Sequence, residues 1–324
     1  MARTPPAGDN NGCSTPHTPH LEMHLYFQNL SSAPASILRT SNWRERYPMI
    51  YPKGRLFWLA IAALPLAIGH AQTPQQVIQQ VVDTERAENK GDHSQWIYLD
   101  HSIKPKEQRL QWVATTPHGD VDRILVKDGR EVSEPEQQTL IQKYLHDPHA
   151  QNKQIAESAH DYQQVDDLLR LLPVGFVWNV VSATPDETTL HFVPNPSFHP
   201  PTHEARVFAA ATGFLVADNR QHRIRSVHGQ LVHDVTFGGG LLGRLKQGGS
   251  FAIEQQQVSP SLWQLTLIHI HLEGNALLFK SISFQEDDDR SRFTPEQSNP
   301  TLDQAATAVL HQPGSAQPLT AESK

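Results

Sequence analysis

Cysteine is almost missing: the one in 324 residues is Cys13, so nothing downstream of it can form a disulfide within the chain. Whatever folds there is held by burial rather than by cross-links. No apolar run reaches the roughly 20 residues that span a bilayer as a helix; the longest, Leu56 to Ile68, has thirteen. A surplus of positive charge is lacking too. Residues 72–324 carry 21 Lys and Arg against 31 Asp and Glu, a balance of −10 that disfavours nucleic acid as a partner. Gly-x-Ser-x-Gly, His-Glu-x-x-His and a reactive-cysteine arrangement are all absent, which takes most of the weight from hydrolase and redox chemistry. The expectation is a protein without catalysis and without a cofactor.

What is present first is a processing signal. Lys53 and Arg55 precede the apolar run, and Gly69-His70-Ala71 supplies small residues at its exit, the layout of a secretory signal peptide over residues 49–71 cleaved near Ala71. Export to the periplasm or medium follows as an expectation. Residues 1–48, rich in Pro, Ser, Thr and Asn, read as a disordered extension or as sequence upstream of a true start at Met49.

Beyond Ala71, Thr73-Pro74 opens a helix with apolar residues at Val77, Ile78, Val81 and Val82. Trp96–Ile103, Arg109–Thr115 and Val121–Val126 alternate as half-buried strands. Ser133 with Glu136 forms a capping-box pattern for a helix to about His146, and Asn152 to Leu172 is a second helix; together, 133–172 is a helical insertion that covers the sheet. Strands return at Phe176–Ala183, Thr188–Val193, Phe214–Ala217, His222–His228 and Leu231–Phe237. A meander then runs from Phe251 to Phe284, with Glu273-Gly274-Asn275 as its second turn. Residues 72–294 form one domain, and 295–324 reads as a disordered tail in which Leu302–Leu310 is a frayed helix. The fold class is α+β, built on an antiparallel sheet.

Several constellations invite chemistry. Gly238 to Gly243 satisfies G-x-G-x-x-G after a strand, but Gly248-Gly249 ends any helix within five residues, so the pyrophosphate-binding helix is missing and a tight connection is the better reading. His269 and His271 share one strand face at a spacing metals use, without a third ligand at a telling distance. His199, His203 and Glu204 make a second loose cluster. Asp287-Asp288-Asp289 offers carboxylates for calcium yet reads first as a solvated charge run. Asp166 and Asp167 are adjacent on a helix and point apart. The aromatic and long apolar residues Leu110, Trp112, Leu125, Trp178, Phe251, Trp263 and Phe279, spread over different strands, are either ordinary core or, as a group, the lining of an apolar pocket.

Leu110-Gln111-Trp112, Thr116-Pro117 and Ile124-Leu125-Val126-Lys127-Asp128-Gly129-Arg130 resemble the periplasmic lipoprotein carriers. The resemblance implies a strongly curved, incompletely closed antiparallel barrel with helices covering its concave side, whose hollow holds acyl chains. The arginine that serves those carriers falls on or near Lys106, with Arg109 three residues further on. From Phe237 to Ile282 the chain looks instead like uncharacterised secreted bacterial proteins. The resulting expectation is a carrier of a lipid or acylated protein in the bacterial envelope. Its rivals are an envelope interaction or sensing module with transient partners and, behind both, a metal-dependent enzyme using His269 and His271.

Overall fold

A computed structural model describes residues 72–237, 243–276 and 280–314. The leader segments 1–48 and 49–71, the glycine motif through Leu242, and Phe279 lie outside them. Helix α1 (Pro74–Gly91) starts where the sequence places it. Thr73 accepts from the Gln76 N–H while the Gln76 side chain accepts from the Thr73 N–H, so two donors orphaned at the helix start are satisfied.

The meander β1 (Trp96–Lys104), β2 (Glu107–Ala114), β3 (Val121–Lys127) and β4 (Arg130–Glu131) precedes α2 (Glu134–Leu145) and the long α3 (Pro148–Gly175). A second meander follows: β5 (Phe176–Ala183), β6 (Glu187–Pro194), the short α4 (His203–Phe208), β7 (Ala211–Asp218) and β8 (Ile224–Leu231). Then come β9 (Val235–Phe237), β10 (Gly243–Leu245), β11 (Ser250–Ser259), β12 (Leu262–Ala276), β13 (Lys280–Pro295) and α5 (Leu302–Leu310). All thirteen strands form one antiparallel sheet in the order β4-β3-β2-β1-β13-β12-β11-β8-β7-β6-β5, with β9 and β10 branching from β12. The β12–β13 hairpin splices the two meanders, and the sheet stays open, with β4 and β5 as its edges. The fold is α+β on a curved open sheet.

Side-chain alternation gives the sheet two faces with different covers. The inner face carries Trp178, Phe192, Leu215, Ile268 and Ile270, closed by Ile78, Val81 and Val82 of α1 and Leu169 and Leu172 of α3. The outer face carries Ile97, Leu99, Trp112, Val121 and Leu125, closed by Ile141 and Tyr144 of α2 and Ala305, Ala306 and Val309 of α5. Helices therefore cover both faces, at opposite ends of the sheet, rather than the concave side alone. The tail expected to be disordered contains α5, which has its own Thr301–Gln304 capping box. The buried Arg123 donates to the carbonyls of Val309, Leu310 and Gln312 at 3.1, 3.0 and 2.7 Å, placing a cation where the dipole at the helix C-terminus favours one.

Two expected boundaries move for physical reasons. Ser133 does precede α2, but its side chain makes no cap bond, and Glu136 is drawn away to the Arg130 guanidinium at 2.8 and 3.0 Å. Glu273-Gly274-Asn275 is no turn: β12 runs through it, and Gly274 lets the β10 backbone approach where a Cβ would collide with the Arg244 carbonyl.

Helix α3 ties the sheet's two ends together. Near its N-terminus Gln154 accepts from the Asp120 N–H at 2.8 Å, just before β3, and also engages the Tyr144 hydroxyl. Near its C-terminus the Trp178 indole of β5 donates to Leu172 O at 3.0 Å. Gly119 supports the first mooring, with φ of 108° and no room for a Cβ beside Gln154 and Tyr144. Gly119→Ala is expected to lower stability by about 1–3 kcal/mol through backbone strain and overpacking. Urea unfolding checks this, and a change below about 0.5 kcal/mol would show the mooring to be dispensable.

Candidate ligand-binding face

The inner face is apolar over one half and acidic over the other. Strand register decides the boundary: Ile268 of β12 lies opposite Asp288 of β13, and Ile270 opposite Glu286. From β13 the same face passes to Asp100 and Ser102 of β1, then to Gln111 and Arg109 of β2. Asp100, Glu286 and Asp288 are each 1% exposed, a depth at which carboxylates are rarely found without partners.

Their partners are few. Arg290 stands between Asp100 and Asp288, Nε at 3.5 Å from one and Nη2 at 3.7 Å from the other. Its guanidinium lies 5.6 Å from the centre of the Tyr98 ring, which stacks on Phe293. Lys104 meets Glu286 at 2.7 Å, and the Gln111 amide donates to Asp100 at 3.3 Å. Arg109 is engaged by Glu107. Burial outweighs these cations: it pushes the Asp100 carboxyl up to about 6, against the pull of Arg290, and the Glu286 carboxyl up to about 7, against Lys104.

The apolar half meets α1 around a second buried charge. Glu85 accepts from the Arg223 guanidinium at 3.0 and 3.1 Å and from the Ile224 N–H at 2.7 Å. Arg86 of α1 holds Asp166 of α3 at 2.7 Å, and Arg170 reaches the same carboxylate, which these hydrogen bonds keep below the usual carboxylate range. The two helices are thus clasped over the inner face. Asp167 turns away to Gln163, as helical geometry requires of a neighbour.

The outer face of β12 and β13 holds the histidines. His271 pairs with Asp287 at 2.6 Å and His269 with Asp289 at 3.3 Å, so the Asp287–Asp289 run splits, its middle member inward and its flanks outward. Among the described residues no three His, Cys, Asp or Glu side chains converge to hold a metal ion. His199 turns to Ser197 O, whereas the His203 ring lies 5.2 Å from Phe237, so that cluster does not assemble around Glu204.

The aromatic group does not assemble as one lining either. Leu110, Trp112 and Leu125 belong to the outer-face core with α2 and α5, and the Trp112 indole donates to Pro313 O at 3.1 Å. Trp178 and Phe251 lie on the inner face. Trp263 is buried beside Arg223 and Arg225, its indole donating to Gln221 at 2.6 Å. The Leu99–Trp112 pairing fixes Trp112 on the outer face, so no single pocket can use all seven residues.

The acidic half of the inner face went unnoticed in the sequence. Its signal was the alternation Tyr98, Asp100, Ser102, Lys104 facing Gln111 and Arg109, a pattern that looks like a wet face. No helix among the described residues is long and apolar enough to cross a membrane. Compared with protein-family models, with curated proteins and with solved structures, the chain matches none.

Proposed function

We propose that this protein is an exported, non-catalytic binding protein or carrier for a ligand with an apolar chain, taken up on the inner face of the curved sheet beneath α3. The observation that carries this reading is the mounting of α3. The helix, roughly 42 Å long at 1.5 Å per residue, is moored near both ends of the sheet. Between its moorings Ile155 and Tyr162 remain 41% and 68% exposed instead of being driven into the sheet. A chain lying there gains by desolvation, roughly 0.8 kcal/mol for each buried methylene, and needs few polar contacts for useful affinity. The resemblance to periplasmic lipoprotein carriers and the signal-peptide layout of residues 49–71 support the same reading.

Native mass spectrometry of gently purified protein, joined to titration with a fluorescent fatty acid, tests it. Retained or acquired ligand is the expected result; protein that arrives empty and takes up no probe overturns the carrier reading.

A second reading, an interaction module, is favoured by a different observation. Val174 at the end of α3, Val177, Val180 and Val181 on edge strand β5, and Phe214 on β7 are 43–58% exposed. Large apolar side chains grouped at an open sheet edge suit a partner chain. One stoichiometric protein recovered from an envelope fraction, and lost with Val181→Asp, would select this reading over the first.

A further inference from the structure

The acidic half of the inner face has an excess of acceptors. Among the described residues, Asp100 Oδ1, Gln111 Oε1, Asp122 Oδ1, Glu286 Oε2 and both oxygens of Asp288 are buried and accept no hydrogen bond. They come from four adjacent strands, β3, β2, β1 and β13, and Asp100, Glu286 and Asp288 are 99% buried. The one donor atom in the same condition there is Nε of Arg290. Four carboxylates face three cations, Arg290, Lys104 and, near Asp122, Arg109, which is shared with Glu107. Buried acceptors without donors are costly, and several at one place indicate what they are shaped to receive.

We propose that this cluster receives the cationic N–H donor group of an amphiphile, an ammonium or guanidinium head, while its chain lies beneath the middle of α3, where Ile155 and Tyr162 are exposed. The inference rests on the carrier reading above and adds the chemical class of the ligand. Two features favour such a head over a metal ion. The carboxylates are spread along the strands without three converging on a point. Arg290 between Asp100 and Asp288 is itself a guanidinium in the same setting, beside the rings of Tyr98 and Phe293. A planar or tetrahedral set of N–H groups can serve oxygens several ångströms apart, which one ion cannot.

Isothermal titration of the full protein below the micelle concentration, with dodecylguanidine, dodecylamine, dodecanol and dodecanoate, provides the test. The cationic heads are expected to bind at least about tenfold more tightly than dodecanol. Asp100→Asn and Asp288→Asn, each near-isosteric, are expected to erase that preference. Thermal melts confirm that the variants fold, and Glu286→Gln serves if either does not. Equal binding of all four heads, or a cationic preference that survives the substitutions, overturns the inference and leaves the carrier reading standing. No binding of any chain overturns both.

Discussion

Glu85→Ala or Arg223→Ala is expected to cost about 3–5 kcal/mol of folding stability, the penalty of stranding one member of a buried ion pair. The two side chains are 3% and 7% exposed, joined by two hydrogen bonds, and Glu85 also holds the Ile224 N–H. Truncating either leaves a charge that water cannot reach. At this chain length such a loss lowers the midpoint of thermal unfolding by about 10 °C. Urea unfolding measures it directly, and a loss under about 1 kcal/mol would mean that solvent reaches the pair. The contrast is Arg220–Asp186, whose side chains are 75% and 58% exposed. Breaking that pair should change little, because exposed ion pairs contribute about 0–1 kcal/mol. Replacing Glu85 and Arg223 together by Leu and Met should recover most of the loss, since desolvating two charges offsets much of what their attraction returns.

That pair also marks how far the sequence could be read. Glu85 occupies a helix whose start was legible from Thr73 and Gln76, and whose stripe of Ile78, Val81 and Val82 announced a buried side. Nothing local announced that the next inward residue would be a glutamate. Its partner is 138 positions away, across a β-strand pairing that single-sequence periodicity does not encode. Strand existence was legible for the same reason as the helix: β5 spans Phe176–Ala183 as expected, since alternation and turn residues are local. The extent of β13 was not. Glu286-Asp287-Asp288-Asp289-Arg290 has poor β propensity and reads as solvated charge, yet pairing on both sides holds it in the middle of the sheet. Here tertiary context overrode propensity, and it sent Asp288 inward and its neighbours outward. The candidate aromatic lining failed on the same missing knowledge. Trp112 and Trp178 are both buried on strands, but which face each uses depends on a strand order that places β1 beside β13.

Between pH 5 and pH 8 the native state is expected to lose on the order of a few kcal/mol of stability, the reverse of the gain that paired surface carboxylates would give. Burial raises Asp100 from 3.8 to about 6 and Glu286 from 4.5 to about 7. A group whose folded value exceeds its unfolded value binds its proton more tightly in the native state. Its stabilising contribution is therefore complete below the unfolded value and is lost as pH rises through the folded one. For these two carboxyls that loss runs from the unfolded values of 3.8 and 4.5 to the folded values of about 6 and about 7, so it is under way by pH 5 and essentially complete by pH 8. Asp120 and Asp122, also desolvated, move the same way. Asp166, Asp218 and Asp234 are shifted downward by their hydrogen bonds and ion pairs, so their contribution is lost only on further acidification, below the range tested. The discriminating measurement is the urea midpoint at pH 5, 6, 7 and 8 for the parent and for Asp100→Asn with Glu286→Gln. The double variant should be the more stable protein at pH 8 and should show a shallower slope, the remainder being that of Asp120 and Asp122. Equal slopes in the two proteins would mean that the inner-face carboxyls are ionised throughout, which requires water or a bound cation among them.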